Sequence, residues 1–369
     1  MTGNTIRAAV VDRAGDPFVI RDLTLDNPRD DEIVVRIVGV GLCHTDIVAQ
    51  SGGFGYTGAG VFGHEGSGIV EKTGSAVTKF RPGDRVAISF RSCGECVQCK
   101  DGYPSYCHTM PQLNYAGTRI DGSTSIFNGD EPVTSNFFGQ SSFANFAITY
   151  ERNLVLVPEN FPLEMAGPLG CGIQTGAGAI MRSMACEEDS ILLITGGGSV
   201  GLSAVMGAAI QHCATIIVVE PLSSRRELAH NFGATHSIDP TAEEDLAAAI
   251  RKIAPSGVNY ALDTTGRPET IEAIFGALAP RGLVGLVGIA APGTLIPIDI
   301  NTIMTPGSRI MGIIEGDSDP ETFIPELIAH YQAGRLPFDR MIKTYPLSQI
   351  NEAVSDQHQG ICVKAVLLP

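Results

Sequence analysis

The first 155 residues of the chain contain short apolar segments separated by glycine. Apolar and polar residues alternate in several of these segments, which is the pattern of half-buried β-strands. The segments are Ile33–Val38, Gly68–Lys72, Arg85–Phe90 and Phe146–Thr149. Between Arg91 and Asn136 the alternation is lost, and we expect irregular loops there. This half of the chain is therefore predicted to form a small, mostly β barrel.

From about Pro168 onward, compact apolar runs alternate with stretches typical of helices. The predicted strands are Ser190–Thr195, Thr215–Glu220, Val258–Thr264, Gly282–Ile289 and Arg309–Ile314. The predicted helices are Ser199–His212, Arg225–Phe232, Ala242–Ile253 and Glu269–Leu278. Strands and helices that alternate at this spacing predict an α/β domain with a parallel, doubly wound sheet.

The last part of the chain adds a helix and a strand. Pro320–Ala333 predicts a helix that begins with a proline in its first turn and ends before Gly334, and Cys362–Leu368 predicts a strand. Because the doubly wound sheet is complete near residue 312, we expect the C-terminal piece to return to the first domain. The predicted organisation is a mostly β domain over 1–172, a parallel-sheet domain over 173–312 and a return segment over 313–369.

Length and charge restrict the class of protein. A chain of 369 residues favours two domains, and its net charge of −15 makes a nucleic-acid partner unlikely because such proteins usually carry a basic surface. No apolar run reaches the roughly 20 residues of a membrane span, so we expect no membrane insertion. The first residues lack the basic and apolar regions of a secretory signal, and we expect a cytoplasmic protein.

Four of the nine cysteines lie close together in a polar, turn-rich lobe at 91–110. Their spacing, Cys-x2-Cys-x2-Cys-x7-Cys, predicts one tetrahedral zinc site with no open position, which is a structural site. These ligands are Cys93, Cys96, Cys99 and Cys107. A redox Cys-x-x-Cys pair is the alternative, although it would need only two of the four thiols. Cys186, Cys213 and Cys362 are expected to be small buried hydrophobic residues.

Cys43, His64 and Cys171 form a second candidate metal set. Three protein ligands leave a fourth position for water or substrate, as in catalytic zinc sites. The spacing of these residues does not decide the matter, because an isolated histidine is more often a hydrogen-bonded structural residue than a ligand.

A glycine-rich loop follows the first predicted strand of the second domain. Gly196, Gly198 and Gly201 fit G-x-G-x-x-G between a strand and a helix, the setting in which the pattern predicts dinucleotide binding. Gly196 permits the tight turn, Gly198 lets the backbone approach a pyrophosphate, and Gly201 allows the helix to pack closely on the strand. The helix N-terminus at Ser199 and Val200 offers free N–H groups to the phosphates. A glycine-rich turn without a ligand is the alternative.

Glu220 stands at the end of the next predicted strand. A carboxylate at this position can accept hydrogen bonds from the adenosine ribose and would repel a 2′-phosphate, which favours NAD over NADP. Arg225 and Arg226 lie nearby and leave NADP open.

Taken in order along nearly the whole chain, these motifs resemble those of zinc-dependent medium-chain alcohol dehydrogenases. The segments that carry the resemblance are Gly39–Asp46, Gly63–Gly68, Pro82–Val86, the four-cysteine lobe, Gly170–Gly172 and the glycine loop. Within the family, the chain looks most similar to the aryl-alcohol (benzyl-alcohol) dehydrogenase branch. That signature, which allylic terpenoid alcohol dehydrogenases largely share, lies in Cys43–Asp46, Gln112–Tyr115 with Gly117, and Gly312–Asp317.

The resemblance implies a GroES-like catalytic domain interrupted by a Rossmann coenzyme domain, with the active site in the cleft between them. Cys43, His64 and Cys171 fall at the positions of the catalytic zinc ligands; two cysteines and one histidine are the set for which alcohol dehydrogenase is itself the standard example. The resemblance also implies Glu65 as an alternative zinc ligand, Asp46 as the carboxylate that orients the ligating imidazole and Thr45 as the hydroxyl that takes the alcohol proton. For the coenzyme, it implies that Thr175 and Val200 pack against the nicotinamide and that Arg225, Val287 and Lys364 make further contacts. It implies Phe54 as a pocket wall, and a plain core aromatic is an equal alternative for this residue.

Two positions depart from the liver-type pattern of the family. Val48 stands where that branch ends its proton relay with a histidine, so the proton must leave by another route. His44 stands where that branch has an arginine on the coenzyme pyrophosphate. We hypothesise that His44 contacts the pyrophosphate and helps to pass the proton outward.

The function implied is reversible, NAD-linked oxidation of a primary aromatic alcohol to its aldehyde, with two zinc ions per chain and a homodimer or homotetramer as the assembly. An allylic, geraniol-type alcohol is the alternative substrate. Polyol, formaldehyde or threonine dehydrogenases of the same fold are further alternatives. A zinc-scaffolded binding protein without turnover is the alternative from a different class, and the glycine loop with Glu220 argues against it.

Overall fold

The computed structural model of the protein describes residues 4–369. The chain divides into two compact units. The first contains the chain up to Cys171 together with Asp319–Ala329 and Asp339–Pro369, and the second contains Gly172–Ser318 and His330–Phe338. The second unit thus continues past the expected boundary at 312 and takes a short piece of the segment expected to return to the first domain.

The first unit is built mainly from short strands. Its strands before residue 172 are β1 (Asn4–Val11), β2 (Val19–Leu25), β3 (Glu32–Gly41), β4 (Gly60–Val61), β5 (Glu65–Thr73), β6 (Arg85–Ile88), β7 (Ile126–Asn128), β8 (Glu131–Val133), β9 (Phe146–Tyr150) and β10 (Leu154–Leu156). Its helices in this part are α1 (His44–Gln50), α2 (Val97–Lys100) and α3 (Met110–Tyr115). The expectation of irregular loops from Arg91 to Asn136 was therefore only partly right, because two short helices and the β7–β8 hairpin lie there.

The second unit alternates strands and helices. The strands are β11 (Ile191–Thr195), β12 (Thr215–Val219), β13 (His236–Ile238), β14 (Val258–Asp263), β15 (Leu278–Leu286) and β16 (Arg309–Gly312). The helices are α4 (Gly172–Gly178), α5 (Ser199–Ile210), α6 (Ser223–Asn231), α7 (Leu246–Ile253), α8 (Pro268–Ala277) and α9 (Ile300–Met304). The strands form one parallel sheet in the order β13-β12-β11-β14-β15-β16, which confirms the predicted doubly wound α/β fold.

The C-terminal part of the chain adds α10 (Pro320–Gln332), β17 (Ile342–Pro346), α11 (Ile350–His358) and β18 (Lys364–Leu368). β18 pairs with β17 and, antiparallel, with β3, so the end of the chain lies in the sheet of the first unit. That seven-stranded sheet runs β10-β6-β5-β3-β18-β17, with β9 also on β3. A second, five-stranded sheet runs β4-β1-β2-β7-β8.

Apolar side chains from both sheets of the first unit fill one core, which explains the alternation in the sequence. Val35 and Ile37 of β3, Val70 of β5 and Leu367 of β18 are all buried in it. In the second unit the central strands are buried on both faces, as their continuous apolar runs predict.

One predicted helix boundary is wrong. The helix expected from Ala242 begins only at Leu246, because the Asp245 side chain accepts a hydrogen bond from Ala248 N and caps the helix there. Across residues 4–369, the longest apolar helical stretches fall short of what is needed to cross a bilayer.

Candidate active site

His64 lies at the centre of a buried cluster in the first unit. Its Nδ1 is 2.7 Å from Asp46 Oδ1, and its Nε2 is 3.3 Å from Cys171 Sγ. Since the carboxylate accepts the proton on Nδ1, the lone pair on Nε2 is free to bind a metal. Burial by itself lowers the pKa of His64, but the charge of Asp46 and its hydrogen bond raise it well above its ordinary value.

Asp46 is held in place by the backbone as well as by His64. Cys43 N donates to its Oδ2 at 3.0 Å, and Gly63 N donates to its Oδ1 at 3.2 Å. Gly63 has a φ of +91°, and a Cβ at this position would lie 2.6 Å from Phe143 atoms, so only glycine fits the turn before His64. The Gly-His-Glu motif thus aims the imidazole at its carboxylate.

Four side chains that can ligate a metal converge at this point. One ligand atom from each of Cys43, His64, Glu65 and Cys171 lies within 4.8 Å of the others. Cys43 immediately precedes α1, and Cys171 follows a short turn of helix at Gly167–Gly170. A hydrogen bond from Cys171 is the largest cause that holds the pKa of Cys43 well below its usual value; burial opposes it, and His64 adds to it. Cys43 is thus prepared for thiolate ligation.

Glu65 is engaged by an ammonium group. Lys364 Nζ lies 2.7 Å from both of its carboxylate oxygens and donates to Leu42 O at 3.2 Å. Burial raises the pKa of Glu65 to about 7, and the charge of Lys364 opposes that rise. Lys364 was predicted among the coenzyme contacts. In the structure its partner is a buried carboxylate of the first unit.

The residues assigned to proton transfer lie at the start of α1. Thr45 Oγ1 is 3.7 Å from Cys43 Sγ and the residue is half-buried. His44 is exposed, and Val48, one turn further along, has an aliphatic side chain with no proton to exchange. Of His44 and Val48, only His44 thus has a side chain that can exchange a proton.

Aromatic rings extend from the imidazole. Phe138 stacks on His64 with ring centroids 4.4 Å apart, and Tyr115 meets Phe138 at 5.4 Å. Phe54 in turn stacks on Tyr115 at 4.9 Å with an interplanar angle of 15°. Tyr56 fixes this layer by donating from its hydroxyl to Tyr115 O at 2.5 Å. We call Phe54, Tyr115 and Phe138 the aromatic row.

The four cysteines of the lobe also come together. Ligand atoms of Cys93, Cys96, Cys99 and Cys107 lie within 4.8 Å of one another. Backbone N–H groups of Glu95 and Cys96 donate to Cys93 Sγ at 3.4 and 3.3 Å. Backbone hydrogen bonds from His108 and Cys99 lower the pKa of Cys96 to about 6. Apart from the cysteines, only Met110 and Leu113 form a buried apolar cluster in this lobe. One metal ion held by four thiolates would supply the order that so small a core cannot.

In the second unit, the glycine loop has the geometry of a phosphate cradle. Gly196 has a φ of +94°, and a Cβ on Gly201 would lie 1.9 Å from Gly196 O, so the protein itself requires both glycines. At Gly198 a Cβ would meet no protein atom within 4 Å. No contact inside the protein demands glycine there, whereas the close approach of a pyrophosphate does. The loop therefore fits the coenzyme.

Glu220 is buried beside this loop. Its Oε2 accepts from Gly197 N at 2.6 Å, and its Oε1 accepts from Leu222 N at 3.0 Å. Arg226 Nη1 donates to Glu220 O at 2.7 Å and lies 3.1 Å from Asp239 Oδ2, so this arginine is engaged by acceptors within the unit.

Two other predicted coenzyme contacts have partners within the second unit. Thr175 Oγ1 donates to Glu315 Oε2 at 3.2 Å, and Gln174 Nε2 donates to the same oxygen at 3.1 Å. Val287 directly follows β15, where its N–H donates to Asp263 O at 2.9 Å. Arg225 lies in the first turn of α6.

Comparison with known proteins decides the family. Residues 29–159 match the alcohol dehydrogenase GroES-like domain, and residues 199–331 match the zinc-binding dehydrogenase domain. Geraniol dehydrogenase of Castellaniella defragrans is 44% identical over 370 residues, which cover 98% of this chain and 97% of that protein. The chain belongs to the zinc-dependent alcohol dehydrogenase family. As a member it is an oxidoreductase that uses zinc and NAD.

Solved structures of this family agree over the full length. The crystal structure of an alcohol dehydrogenase zinc-binding domain protein from Burkholderia ambifaria has a TM-score of 0.96 at 44% identity and 99% coverage of both chains. Benzyl alcohol dehydrogenase from Acinetobacter calcoaceticus has a TM-score of 0.95 at 39% identity, again with 99% of both chains covered. The expected pairing of a GroES-like domain with a Rossmann domain is thereby confirmed.

The donor set fits the zinc ion of this dehydrogenase family. Cys43, His64 and Cys171 offer two thiolates and one imidazole nitrogen, the types that zinc prefers, and Asp46 fixes the imidazole from behind. Glu65 lies in the same group, but its two oxygens are already held by Lys364. The group is therefore better described as three zinc ligands, with the fourth position left for substrate, than as four ligands that include Glu65.

Several residues of the dehydrogenase site were not predicted from the sequence. Gln140 Nε2 donates to His64 O at 2.8 Å, and its Oε1 accepts from Gly66 N at 3.0 Å, so this amide holds the His64 strand from behind. Phe138 occupies a left-handed conformation with φ 52°, just beyond the stretch that was expected to form loops. The adjacent aromatic residues Phe137 and Phe138 were the signal that could have marked it.

Proposed function

We propose that the protein oxidises primary aromatic or allylic alcohols reversibly to aldehydes, with NAD as the hydride acceptor. The observation that carries the proposal is the aromatic row, because it begins on the zinc-ligating imidazole at Phe138 and continues through Tyr115 to Phe54. A flat, conjugated substrate can stack on such rings. The names of two similar proteins, geraniol dehydrogenase and benzyl alcohol dehydrogenase, support the same substrate class.

The chain's own residues account for binding and proton transfer. Zinc, when bound, polarises the alcohol oxygen, and NAD, when bound, accepts the hydride. Asp46 keeps the ligating face of His64 directed at the site. Thr45, whose hydroxyl both accepts and donates hydrogen bonds, takes the alcohol proton, and the exposed His44 passes it to solvent. A conjugated carbinol favours the reaction because the developing carbonyl is stabilised by the ring or double bond.

Steady-state kinetics with matched substrates test the proposal. Benzyl alcohol and cyclohexylmethanol differ in little but aromaticity, and geraniol is the allylic counterpart. We expect kcat/KM for benzyl alcohol and geraniol to exceed that for cyclohexylmethanol by about tenfold, since a ring–ring contact contributes roughly 0.5–1.5 kcal/mol beyond buried area. Faster turnover of ethanol or sorbitol would point to another dehydrogenase of the same fold and contradict the proposal.

The aromatic row can be tested in the protein as well. Phe54→Leu keeps the apolar volume but removes the ring, and we expect a drop of about three- to tenfold in kcat/KM for benzyl alcohol. The same variant should leave kcat/KM for cyclohexylmethanol nearly unchanged. Phe146→Leu, the same change at a half-buried phenylalanine outside the aromatic row, serves as the control and should leave both values nearly unchanged. An equal loss on both substrates would show that Phe54 is a core aromatic and not a pocket wall.

The proposed proton route is tested by His44→Gln. This variant keeps a polar side chain but cannot titrate. We expect weaker apparent affinity for NAD and an altered pH–rate profile. If neither quantity changes, His44 contacts neither the pyrophosphate nor the proton.

We further propose a cytoplasmic homodimer or homotetramer. None of the nine cysteines, all of which lie within residues 4–369, forms a disulfide, as is usual for proteins in reducing compartments. Sedimentation velocity of the purified protein measures the assembly directly, and a monomer at micromolar concentration would contradict it.

A further inference from the structure

Arg226, one of the two arginines near Glu220, is held by an ion pair and by two backbone carbonyl groups. Its Nη1 donates to Glu220 O and to Pro221 O, each at 2.7 Å, and lies 3.1 Å from Asp239 Oδ2. The side chains of Arg226 and Asp239 are 20% and 29% exposed, so the ion pair is partly shielded from water. The positive charge that lies beside the Glu220 backbone is therefore already matched by a carboxylate.

The ion pair lies at the edge of the sheet that carries the glycine loop. β11, β12 and β13 are neighbouring parallel strands, and the residues that follow them are the glycine loop, Glu220 and Asp239, respectively. Glu220 N donates to Ile238 O at 3.0 Å, which brings Asp239, the next residue, close to Glu220. In sheets of this kind a dinucleotide binds outside the carboxyl ends of the strands.

An arginine in this position is the group that accommodates the 2′-phosphate of NADP, whereas an acidic residue at the end of the second strand binds the ribose of NAD. The chain has both, because Glu220 and Arg226 lie side by side. Glu220 is 3% exposed and both of its carboxylate oxygens accept backbone hydrogen bonds, so its position is fixed. What the arginine can offer to a phosphate then depends on its partner Asp239.

Asp239 is held in place independently of Arg226. Thr241 donates to Asp239 Oδ1 twice, from its N at 3.0 Å and from its Oγ1 at 2.6 Å. These two bonds lower the pKa of Asp239 and the charge of Arg226 adds to the effect, so the carboxylate is ionised at neutral pH. An asparagine at this position would keep the oxygen that Thr241 needs and would lose the negative charge.

We propose that Asp239 is a specificity-determining residue of the coenzyme site, which acts by positioning and neutralising Arg226. The ion pair withholds the charge of the guanidinium from the 2′-phosphate of NADP, while the Glu220 carboxylate repels that phosphate directly. The chain thus keeps NAD as its coenzyme although it carries an arginine suited to NADP. This inference rests on the use of NAD and not on the identity of the alcohol.

Equilibrium binding of the reduced coenzymes tests the proposal without turnover. The zinc-loaded wild type and Asp239→Asn are titrated with NADH and with NADPH in the absence of alcohol, and coenzyme fluorescence gives each Kd. We expect the Kd for NADPH to fall by about five- to tenfold in Asp239→Asn, because a partly exposed guanidinium is released for a charge-assisted hydrogen bond. The Kd for NADH should change by less than about twofold, since NADH has no 2′-phosphate.

The outcomes separate this proposal from the coenzyme assignment. If Asp239→Asn binds NADH normally and its Kd for NADPH does not fall, the proposal is wrong and the use of NAD stands. If the wild type binds neither coenzyme, both are wrong. Asp239→Ser also keeps an oxygen for Thr241 and loses the charge, and it provides the same measurement where the asparagine variant does not fold.

Two further variants show whether the effect passes through Arg226. Glu227→Gln removes an exposed carboxylate next to Arg226 on helix α6, and it should leave the ratio of the two Kd values unchanged. In the double variant with Asp239→Asn and Arg226→Met, the gain in NADPH affinity should disappear. An equal gain in Glu227→Gln would assign the effect to net charge, and a gain that persists in the double variant would assign it to Arg225. Either result contradicts the proposal.

Discussion

The ammonium of Lys364 lies 2.7 Å from both carboxylate oxygens of Glu65, although 299 positions separate the two residues in the chain. Both side chains are almost completely buried. The pair joins the C-terminal strand β18 to β5, which begins at the metal-ligand motif. A buried ion pair contributes little net stability as a pair, but it becomes costly when one partner is removed.

The first prediction concerns this pair. Glu65→Gln leaves the Lys364 ammonium buried without its counter-charge, and we expect the free energy of unfolding to fall by about 3–5 kcal/mol. Lys79→Met is the matched control, because the pair that Lys79 makes with Glu321 is exposed and should contribute no more than about 1 kcal/mol. Urea unfolding of both variants measures the difference. Equal losses would mean that the buried pair is not a special constraint on the fold.

The second prediction separates the two metal groups. Cys171→Ala removes a ligand from the open group, so we expect turnover to be lost, bound zinc to fall and the fold to persist. Cys99→Ala breaks the closed group, and because a structural ion contributes directly to folding, we expect loss of soluble protein. Metal analysis, circular dichroism and NAD reduction distinguish these outcomes, with Cys362→Ala as a cysteine control outside both groups. The reverse pattern would exchange the two assignments.

The third prediction concerns coenzyme selection by Glu220. Glu220→Ala removes the carboxylate that faces the glycine loop and the charge that repels a 2′-phosphate. We expect the ratio of kcat/KM with NAD to kcat/KM with NADP to fall by about tenfold or more, in line with the loss of one or two hydrogen bonds to a charged group. Glu227→Ala, which removes an exposed carboxylate on the following helix α6, should leave the ratio unchanged. An unaltered ratio in Glu220→Ala would assign selection to other residues.

The fourth prediction is a pH dependence of stability. The Lys343 ammonium and the Tyr345 hydroxyl both lie 2.7 Å from Asp356 Oδ2, and the hydrogen bond from Lys343, followed by that from Tyr345, lowers the pKa of Asp356. A carboxylate whose pKa is depressed in the folded state stabilises the protein above its unfolded pKa of about 3.9 and loses that contribution as the pH falls through the folded value. Asp356→Asn should therefore lower the urea midpoint at pH 7.

The difference between the wild type and Asp356→Asn should shrink as the pH falls below about 4 and vanish once the carboxyl is protonated in both states. Glu352→Gln, an exposed change on the same helix α11, gives the baseline at each pH. A gap that stays constant down to strongly acidic pH would assign the effect of the substitution to packing and not to charge.

The parts of the fold that the sequence predicts well are those with a strong local signal. Ile191–Thr195 is a continuous apolar run that ends at a glycine loop, and it forms the central strand with the boundaries that this pattern indicates. The start of α7 was misplaced because Ala242 to Ile253 has uninterrupted helical character, while Asp245 acts as a cap only through its contact with Ala248. A single capping hydrogen bond of this kind leaves only a weak signal in the sequence, but it determines where the helix begins.

The candidate site likewise contains features that the sequence predicts and features that it does not. The four-cysteine group and the glycine loop were recognisable because their chemistry fixes residue types at fixed spacings. Cys43, His64 and Cys171 were recognised as a metal group only through the family resemblance. Lys364 could not be paired with Glu65 from the sequence, because a contact between distant residues leaves no periodic trace. Phe54 of the aromatic row was predicted as a pocket wall, but Phe138 was missed. Phe138 reaches His64 only through a left-handed backbone conformation that nothing in its own segment predicts.

The central claim is that Cys43, His64 and Cys171 share one zinc ion, distinct from the ion of the four-cysteine lobe. Anomalous diffraction from crystals of the protein, recorded above and below the zinc absorption edge, tests it most directly. We predict one anomalous peak enclosed by those three side chains and another enclosed by Cys93, Cys96, Cys99 and Cys107. A peak in the lobe alone, in crystals grown from zinc-loaded and catalytically active protein, would contradict the claim.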